Sequence, residues 1–392
     1  MNILAIETSC DETAISIIRT DTFNTPTPNF TVLSNLVISQ INVHAEYGGV
    51  FPALAKREHA KNLVPLLEQA LREANVYQDG SHDVDDTLLE NILEREPTLY
   101  QALKNLFASI ERPRIDMVMV TYGPGLAPAL WVGVNFARAL SIAWNIPIVP
   151  VNHMEGHITS ILLKDDYMNE SEALLPLDQY IFPMLALLVS GGHTQLVLVR
   201  DWCTYEIIGE TLDDAVGEAF DKTARMLGME YPGGPKISQA ALEGKENESI
   251  NLPRPMIHSE GYNFSFSGLK TSVRYLVEEL EQKNELNEQT INDIAREFEH
   301  AVADVLLAKT CKAIETYTIR GLIVAGGVSA NTFLTASFKE KMNEYSIPLY
   351  IPETTLCGDN SLMIATAGFI QYWRNKTTVS ESELVAVGNL KL

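Results

Sequence analysis

Two strand–turn–strand segments, one at the start of each half, are the feature that most constrains the fold of this 392-residue chain. ILAIETS (3–9) and TAISII (13–18) are apolar runs of strand length joined by a short polar turn. MLALLVS (184–190) and TQLVLV (194–199) repeat this arrangement around a Gly-Gly-His turn. Because the same supersecondary unit opens both halves, the sequence predicts a duplicated architecture.

Strands and helices alternate after each of these hairpins. Short buried runs predict strands, and apolar residues at helical spacing predict helices. The predicted elements are strands at 115–123, 146–151 and 321–325, and helices at 62–74, 131–144, 212–227 and 291–317. This alternation predicts an α/β protein with two lobes.

Composition and charge exclude several classes of protein. The chain is 46% hydrophobic and 20% charged, which is typical of a globular protein of about two domains. No apolar run approaches the roughly 20 residues that span a bilayer, and we find no signal peptide. The four cysteines are far apart, which favours reduced thiols and a cytoplasmic location. The net charge of −22 argues against a general nucleic-acid binder, although acidic stretches at 79–96 and 164–178 carry much of it.

The stretch VNHMEGHITS (151–160) contains two histidines four residues apart. On a helix His153 and His157 project from one face, as two ligands of one metal would. A zinc protease would need glutamate directly after the first histidine, whereas Glu155 comes two residues later and would turn about 200° away. Asp359 is a possible third ligand, and two histidines with one carboxylate suit a divalent metal. The alternative is two unrelated histidines, one at a helix cap and one packed.

Three glycine turns could hold a phosphate: SGGHTQ (190–195), YPGGPKIS (231–238) and AGGVSAN (325–331). Glycine lets backbone N–H groups approach an anion, and helix N-termini bind phosphate. For the first turn, a simple tight hairpin is the alternative. The chain has neither GxxxxGK[ST] nor GxGxxG, since GPGLAP (123–128) has proline where the third glycine would stand. A bound nucleotide would therefore be held in another way.

Ten ordered motifs resemble the tRNA adenosine threonylcarbamoyltransferase family, formerly labelled O-sialoglycoprotein endopeptidase. They are IETSCDET, HAEYGGVFPALAKREHAKNL, VTYGPGL, NHMEGH, LLVSGGHTQL, GEAFDKTARMLG, YPGGPKIS, FSFSGLKTSV, VAGGVSAN and CGDNSLMIA. The match covers nearly the whole chain except the acidic insertions at 79–111 and 164–181 and the last residues. The resemblance implies a duplicated two-lobed α/β fold of the actin, sugar-kinase and heat-shock ATPase type, which is ribonuclease H-like.

The resemblance also implies an activity. A threonylcarbamoyl group would pass from threonylcarbamoyl-AMP to N6 of the adenosine following the anticodon, in tRNAs that read codons beginning with A. One divalent metal, iron or zinc, would be held by His153, His157 and Asp359. The implied partners are tRNA, a smaller paralogous subunit and a P-loop ATPase subunit. Since AMP is a good leaving group, positioning would supply much of the rate and no covalent enzyme intermediate is required.

The substrate contacts are likewise implied by the resemblance. The adenylate's phosphate and acyl portion would contact the turn formed by Leu188, Val189, Ser190, Gly191 and Gly192. Asp221, Gly234 and Asn331 would bind the nucleoside. Each has an alternative: Asp221 could pair with Arg225 on a helix face, Asn331 could cap a helix, and Gly234 could serve only a turn.

Combining these inferences, we expect an N-terminal lobe at 1–150 that includes the acidic insertion at about 79–111. A C-terminal lobe at 151–370 would carry the metal and adenylate site, and a tail at 371–392 would return to the N-terminal lobe. Two other functions stay open for the same residues: an adenylate-binding ATPase and a metalloprotease.

Overall fold

The computed structural model describes residues 1–21, 28–163, 173–174 and 177–392. The predicted acidic insertion at 164–181 therefore lies largely outside the described residues. The chain forms two compact units. The first contains Met1–Asn42, Val50–Gln179 and Gly358–Leu392, and the second contains Val43–Gly49 and Tyr180–Cys357.

The strands of the described residues divide between two sheets, and the helices flank them. In chain order the strands are β1 (Asn2–Glu7), β2 (Glu12–Arg19), β3 (Asn29–Ser39), β4 (Met117–Gly123), β5 (Ile148–Asn152), β6 (Ala173–Leu174), β7 (Met184–Val189), β8 (Thr194–Asp201), β9 (Thr204–Glu210), β10 (Leu322–Ala325) and β11 (Leu349–Tyr350). The α-helices are α1 (Ile41–Ala45), α2 (Pro52–Glu73), α3 (Asp86–Ile92), α4 (Pro97–Phe107), α5 (Ala127–Trp144), α6 (His153–Thr159), α7 (Val216–Met226), α8 (Gly233–Glu243), α9 (Ser267–Lys283), α10 (Glu288–Thr316), α11 (Thr332–Tyr345) and α12 (Ser361–Asn375).

Both sheets have the same strand order. In the first unit β1, β2 and β3 form an antiparallel meander, and β4 and then β5 add in parallel on the other side of β1. In the second unit β7, β8 and β9 form the meander, and β10 and then β11 add in parallel beside β7. The short β6 pairs with β3 at the edge of the first sheet. The predicted duplicated α/β fold is confirmed.

The predicted acidic insertion at 79–111 is more than a surface segment. It contains α3 and α4, and the apolar side of α4 carries Leu99, Leu103 and Leu106 at helical spacing. These three leucines are at most 4% exposed and belong to the hydrophobic core of the first unit. Full burial of one such side chain contributes about 1.5–3 kcal/mol, so the insertion stabilises the unit that carries it.

The boundary between the units differs from the predicted break at residue 150. The histidine helix α6 and the carboxylate before α12 lie in the first unit, whereas the prediction placed both in the second lobe. The reason is packing: Gly368 of α12 lies so close to β4 and β5 that a Cβ there would meet Met119 Sδ at 2.7 Å and Val151 at 2.8 Å. A boundary drawn from sequence order alone could not predict that α12, which follows the second unit in sequence, packs on β4 and β5.

The last residues lie against the first unit. Val387 N donates to Tyr122 O at 2.7 Å, and Gly125 N donates to Gly388 O at 3.0 Å. Asn152 Nδ2 donates to Lys391 O at 3.1 Å, next to the start of α6. These bonds link the C-terminal residues to the two segments that precede α5 and α6.

Within the described part of the chain, no helix combines the length and the apolar character needed to cross a bilayer.

Candidate metal centre and nucleotide pocket

Helix α6 presents both histidines from one buried face. Its N-cap residue is Asn152, whose side chain accepts a hydrogen bond from Met154 N at 2.9 Å. His153 and His157 are 5% and 0% exposed, and their ring centroids are 4.7 Å apart. Gly156 lies between them in sequence and faces α12, where a Cβ would already be 3.1 Å from Ile364 Cδ1. Glycine here allows α6 and α12 to pack closely.

The third candidate ligand stands just before α12. Asn360 caps this helix by accepting from Met363 N at 2.9 Å, which fixes the backbone next to Asp359. Asp359 Oδ1 lies 3.4 Å from His153 Nε2 and 3.3 Å from His157 Nε2. The structure thus brings together the three side chains predicted as metal ligands, with their ligand atoms within 4.8 Å of one another.

If these three side chains fit a metal, their ligand atoms need not have hydrogen-bond partners within the protein. His157 is fully buried, yet neither ring nitrogen makes a hydrogen bond of acceptable geometry with any residue that the structure describes. A buried imidazole without partners is costly, because it loses water and gains nothing in return. A metal ion would use the Nε2 lone pair, so the three side chains fit a metal ligand set.

The electrostatics of the site favour a cation. Burial alone would lower the pKa of His153, but the negative charges of Asp359 and Glu7 outweigh it and hold that pKa well above its usual range. Burial opposes ionisation of Asp359, and the charge of His153 outweighs this and keeps its pKa below the ordinary value. Burial, followed by the charges of Asp11 and Asp359, raises the pKa of Glu12 to about 9. A field that draws a proton to His153 would also draw a metal cation.

Glu7 is a residue of this site that the sequence analysis missed. Its carboxylate is fully buried, and Oε2 lies 3.1 Å from His153 Nδ1. The available signal was a charged residue at the end of an otherwise apolar strand, where burial of the charge requires a partner.

The second unit contains a separate cavity of about 350 Å³. That volume lies within the range of small-molecule sites. Four of the predicted substrate-binding residues line it: Gly191, Asp221, Gly234 and Asn331.

The other residues of the predicted turn are placed differently. Leu188 and Val189 are fully buried strand residues of β7, with side chains in the sheet. Ser190 and Gly192 lie in the turn itself and do not line the cavity. The turn can thus contact a ligand in this cavity through Gly191.

The turn is held against the start of α7. Gly217 N donates to Ser190 O at 3.2 Å, and a Cβ on Gly217 would lie 2.7 Å from that oxygen and 2.9 Å from Gly191 Cα. Only glycine allows this approach. The cavity therefore lies at the N-terminus of α7, where the positive end of the helix dipole favours an anion. The first two N–H groups of the helix are already used, because Val216 N donates to Thr194 Oγ1 at 2.8 Å and Gly217 N donates to Ser190 O.

Asp221 and Asn331 act in the framework of the cavity as well as in its lining. Asp221 accepts from Gly233 N at 2.7 Å and so fixes the turn that precedes α8. Asn331 caps α11 by accepting from Leu334 N at 2.8 Å, which is the alternative role considered for it. Its Nδ2 also donates to Ser238 Oγ at 2.9 Å and to Glu299 Oε1 at 2.7 Å.

Three further residues of the cavity lie within the quoted motifs, but the sequence analysis did not single them out. Gly217, Phe220 and Ser238 line it alongside the predicted residues. Phe220 supplies an apolar surface, and Ser238 Oγ donates to Glu299 Oε1 at 2.8 Å. Gly217 and Phe220 fall within the quoted motif GEAFDKTARMLG, and only the packing of α7 shows which of its residues face the cavity.

Comparison with known proteins identifies relatives along the whole chain. The family described as "tRNA N6-adenosine threonylcarbamoyltransferase" matches residues 31–83 and 94–366. A protein of that name from Persephonella marina is 40% identical over 385 residues, covering 97% of this chain and 93% of its own length. One from Thermosipho africanus is 38% identical over 392 residues, covering all of both chains.

The fold is also similar to that of a solved structure. Full-length HypF in its phosphate- and nucleotide-bound form aligns with a TM-score of 0.51 at 12% identity. The alignment covers 94% of this chain and 46% of HypF. At this identity the similarity concerns the fold alone.

Proposed function

The chain belongs to the tRNA N6-adenosine threonylcarbamoyltransferase family of tRNA-modifying enzymes, and on that basis we propose its donor, its target and its metal. The donor is threonylcarbamoyl-AMP, and the acceptor is N6 of the adenosine following the anticodon in tRNAs that read codons beginning with A. The reaction depends on one divalent metal, iron or zinc, held by His153, His157 and Asp359.

The observation that carries the proposal is the state of His157. It is fully buried without hydrogen-bond partners among the described residues, and its Nε2 lies 3.3 Å from Asp359 Oδ1. A packed structural histidine would have at least one partner, since buried polar groups are nearly always satisfied. When bound, the metal would supply a Lewis acid that stabilises negative charge developing on the substrate.

The residues of the second unit bind the donor. The phosphate lies beside Gly191, where the positive dipole end of α7 favours an anion. Asp221, Gly234 and Asn331 surround the nucleoside, with Phe220 as the apolar wall. Leu188 and Val189 support the turn from within the sheet, and Ser190 and Gly192 shape it.

The transfer forms one bond and breaks one. The N6 amine attacks the carbamoyl carbon, the bond from that carbon to the AMP phosphate oxygen breaks, and AMP leaves with the electron pair. The proton lost from N6 passes to water. Holding amine and carbonyl in reacting geometry lowers the barrier without a nucleophile from the protein.

The cysteines and the serine beside His153 agree with a direct transfer. Burial, and then the charge of Asp11, raises the pKa of the Cys10 thiol well above its usual range, so the thiol is not activated. Ser9 Oγ and Glu7 Oε2 both contact His153 Nδ1, at 3.2 Å and 3.1 Å. A Ser–His–acid triad would need the serine and the acid at opposite ring nitrogens.

We further propose that the enzyme works in the cytoplasm with a smaller paralogous subunit and a P-loop ATPase subunit. The net charge of −22 supports the need for partner subunits, because a strongly acidic chain gains little from phosphate contacts and needs help to hold tRNA.

The test is threonylcarbamoylation of unmodified tRNA by the purified chain, its two partner subunits and threonylcarbamoyl-AMP. Wild type is compared with Asp359→Ala and with Asp83→Asn, a control carboxylate that is exposed in the same unit. We expect product from wild type and the control and a loss of at least about 100-fold in Asp359→Ala, since charge stabilisation by a metal contributes several kcal/mol.

Two results would contradict the proposal. Full activity of Asp359→Ala would reject the proposal that the reaction depends on a metal held by Asp359. No product from wild type, with partners shown to be active, would reject the donor and acceptor. Metal-independent ATP turnover would then favour the ATPase alternative, and metal-dependent peptide cleavage would favour the protease.

A further inference from the structure

Glu7 is a fully buried carboxylate that binds neither substrate nor metal in the function proposed above. It ends β1, and three groups of the first unit donate to it or face it. Ser9 N donates to Oε1 at 2.5 Å, and Thr121 Oγ1 donates to Oε2. His153 Nδ1 lies 3.1 Å from Oε2. Two independent donors thus hold the carboxylate in one orientation under the imidazole.

This arrangement determines which nitrogen of His153 is free. Since both oxygens of Glu7 already accept from Ser9 and Thr121, the group that faces Nδ1 is an acceptor, and Nδ1 must carry the proton. In the neutral imidazole that would bind a metal, the lone pair then lies on Nε2, the nitrogen 3.4 Å from Asp359 Oδ1. Ser9 Oγ, at 3.2 Å from Nδ1, can accept from the same N–H.

The two histidines are therefore not equivalent. His153 has a buried carboxylate behind its Nδ1, whereas Nδ1 of His157 has no hydrogen-bond partner among the described residues and Nε2 faces only Asp359, at 3.3 Å. A carboxylate behind a ligating imidazole fixes the tautomer, restrains the ring and makes the ligand nitrogen more basic.

The charges of the cluster lead to the same conclusion. Glu7 and Asp359 are two acids facing two imidazoles, and burying both without a counter-charge would be costly. With neutral imidazoles, a dication balances the two carboxylates. Glu7 thus adds to the negative charge that the site offers, although it faces Nδ1 of His153 and Asp359 faces Nε2.

We propose that Glu7 is a positioning residue that holds His153 with Nδ1 protonated and Nε2 directed at the metal, forming a carboxylate–histidine–metal relay. This inference rests on the proposed metal site and adds a specific role for a residue outside the ligand set.

The first measurement reads the tautomer directly and needs no Glu7 variant. The full chain is labelled with ¹⁵N at histidine and loaded with ¹¹³Cd²⁺, and the His153 signals are assigned by their loss in His153→Asn. We expect coupling between ¹¹³Cd and Nε2 of His153 and a proton on Nδ1. Coupling to Nδ1 would overturn the proposal.

The second measurement is the Kd for Zn²⁺, obtained by competition with a chelator. We expect Glu7→Gln to raise the Kd about 10–100-fold, the range for residues behind a metal ligand. Ser9→Ala, which removes the other neighbour of Nδ1, should change it less than about threefold, because the carboxylate that orders the ring remains. A wild-type Kd in Glu7→Gln would contradict the inference.

Thr121→Val covers the case in which Glu7→Gln fails to fold. It keeps the carboxylate and removes one donor that orients it, so we expect a Kd increase of about fivefold with an unchanged circular dichroism spectrum. An unchanged Kd in this folded variant would also contradict the inference.

Failure of the metal site and failure of the Glu7 role give different results. Zinc binding that is unaffected by His157→Ala would reject the metal site itself. Zinc binding lost in His157→Ala but intact in Glu7→Gln would leave the metal site standing and reject only the role of Glu7.

Discussion

The two units differ in the turn that follows the first strand of each sheet: buried polar side chains form it in the first unit, and glycines form it in the second. In the first, residues 8–11 between β1 and β2 are mostly buried side chains, with Thr8 at 0%, Ser9 at 2% and Asp11 at 7% exposure. In the second, residues 190–193 between β7 and β8 include Gly191 and Gly192, and a Cβ on either would meet nothing within 4 Å.

The difference shows what a duplicated fold does and does not determine. The strand order places a turn at the same edge of both sheets, but the side chains in and around that turn decide the chemistry. Carboxylates and imidazoles in the first unit suit a cation, while glycines at a helix N-terminus in the second suit a phosphate. The two units therefore share a strand order but differ in the ligand that they suit. The separation of cation binding from phosphate binding can be tested.

The largest expected effect comes from His157→Ala. Metal affinity should fall at least about 100-fold, because one of three ligands is lost and 1.36 kcal/mol corresponds to tenfold. AMP affinity, which we assign to the cavity of the second unit, should stay within about twofold of wild type, as expected for independent sites. Calorimetric titrations with Zn²⁺ and with AMP check both. A parallel loss of AMP binding would show that metal binding and AMP binding are not separated between the two units.

The converse change is Gly217→Ala in the second unit. A Cβ 2.7 Å from Ser190 O must displace the turn, so we expect AMP affinity to fall about tenfold while Zn²⁺ affinity is unchanged. Gly268→Ala is the matched control, since its nearest neighbour would be Pro255 Cγ at 3.9 Å, an ordinary contact. Equal AMP affinity in the two variants would show that the close approach of turn and helix is not needed for binding.

The smallest effect concerns the ion pairs of the second unit. Asp214 accepts from Lys222 and Lys270, each at 2.8 Å. Burial alone would raise the pKa of Asp214, but these two lysines hold it below its ordinary value of 3.8. Asp214→Asn should therefore lower the local free energy of unfolding by about 1 kcal/mol at pH 7, the scale of partly exposed ion pairs.

The pH dependence of this effect has a definite sign. A carboxyl whose pKa is depressed by folding stabilises the protein above its unfolded pKa and loses that effect as pH falls through the folded value. Amide hydrogen exchange in α7 and α9 should show the full difference between wild type and Asp214→Asn at neutral pH. The difference should shrink below about pH 3.8. A difference that is constant with pH would mean that packing, and not charge, is responsible.

The sequence predicted the parts of the fold that local patterns encode. The strands at 3–9 and 13–18 are observed as β1 and β2, because apolar runs of this length have few alternatives. The helix predicted at 62–74 begins instead at Pro52, since the polar run Lys56 to Lys61 hides its periodicity, whereas Leu54, Ala55 and Ala60 are buried.

Features that depend on distant parts of the chain were less accessible. The spacing of His153 and His157 indicated a shared helix face, but their approach to Asp359 depends on the packing of α6 against α12. The charge of Glu7 at the end of an apolar strand indicates that it needs a partner, but nothing local in the sequence identifies His153 as that partner. The place of α12 in the first unit has the same cause, because α12 follows the second unit in sequence and packs on β4 and β5.

The discontinuous first unit has a consequence for biosynthesis. Its last segment, Gly358–Leu392, follows the whole second unit along the chain. During translation the second unit is complete before α12 emerges, and domains generally fold as units as they are made. The nascent first unit therefore carries His153 and His157 without Asp359 until the whole second unit has been synthesised. The proposed ligand set can be complete only after that point, so we expect any metal to be bound after the second unit has been made.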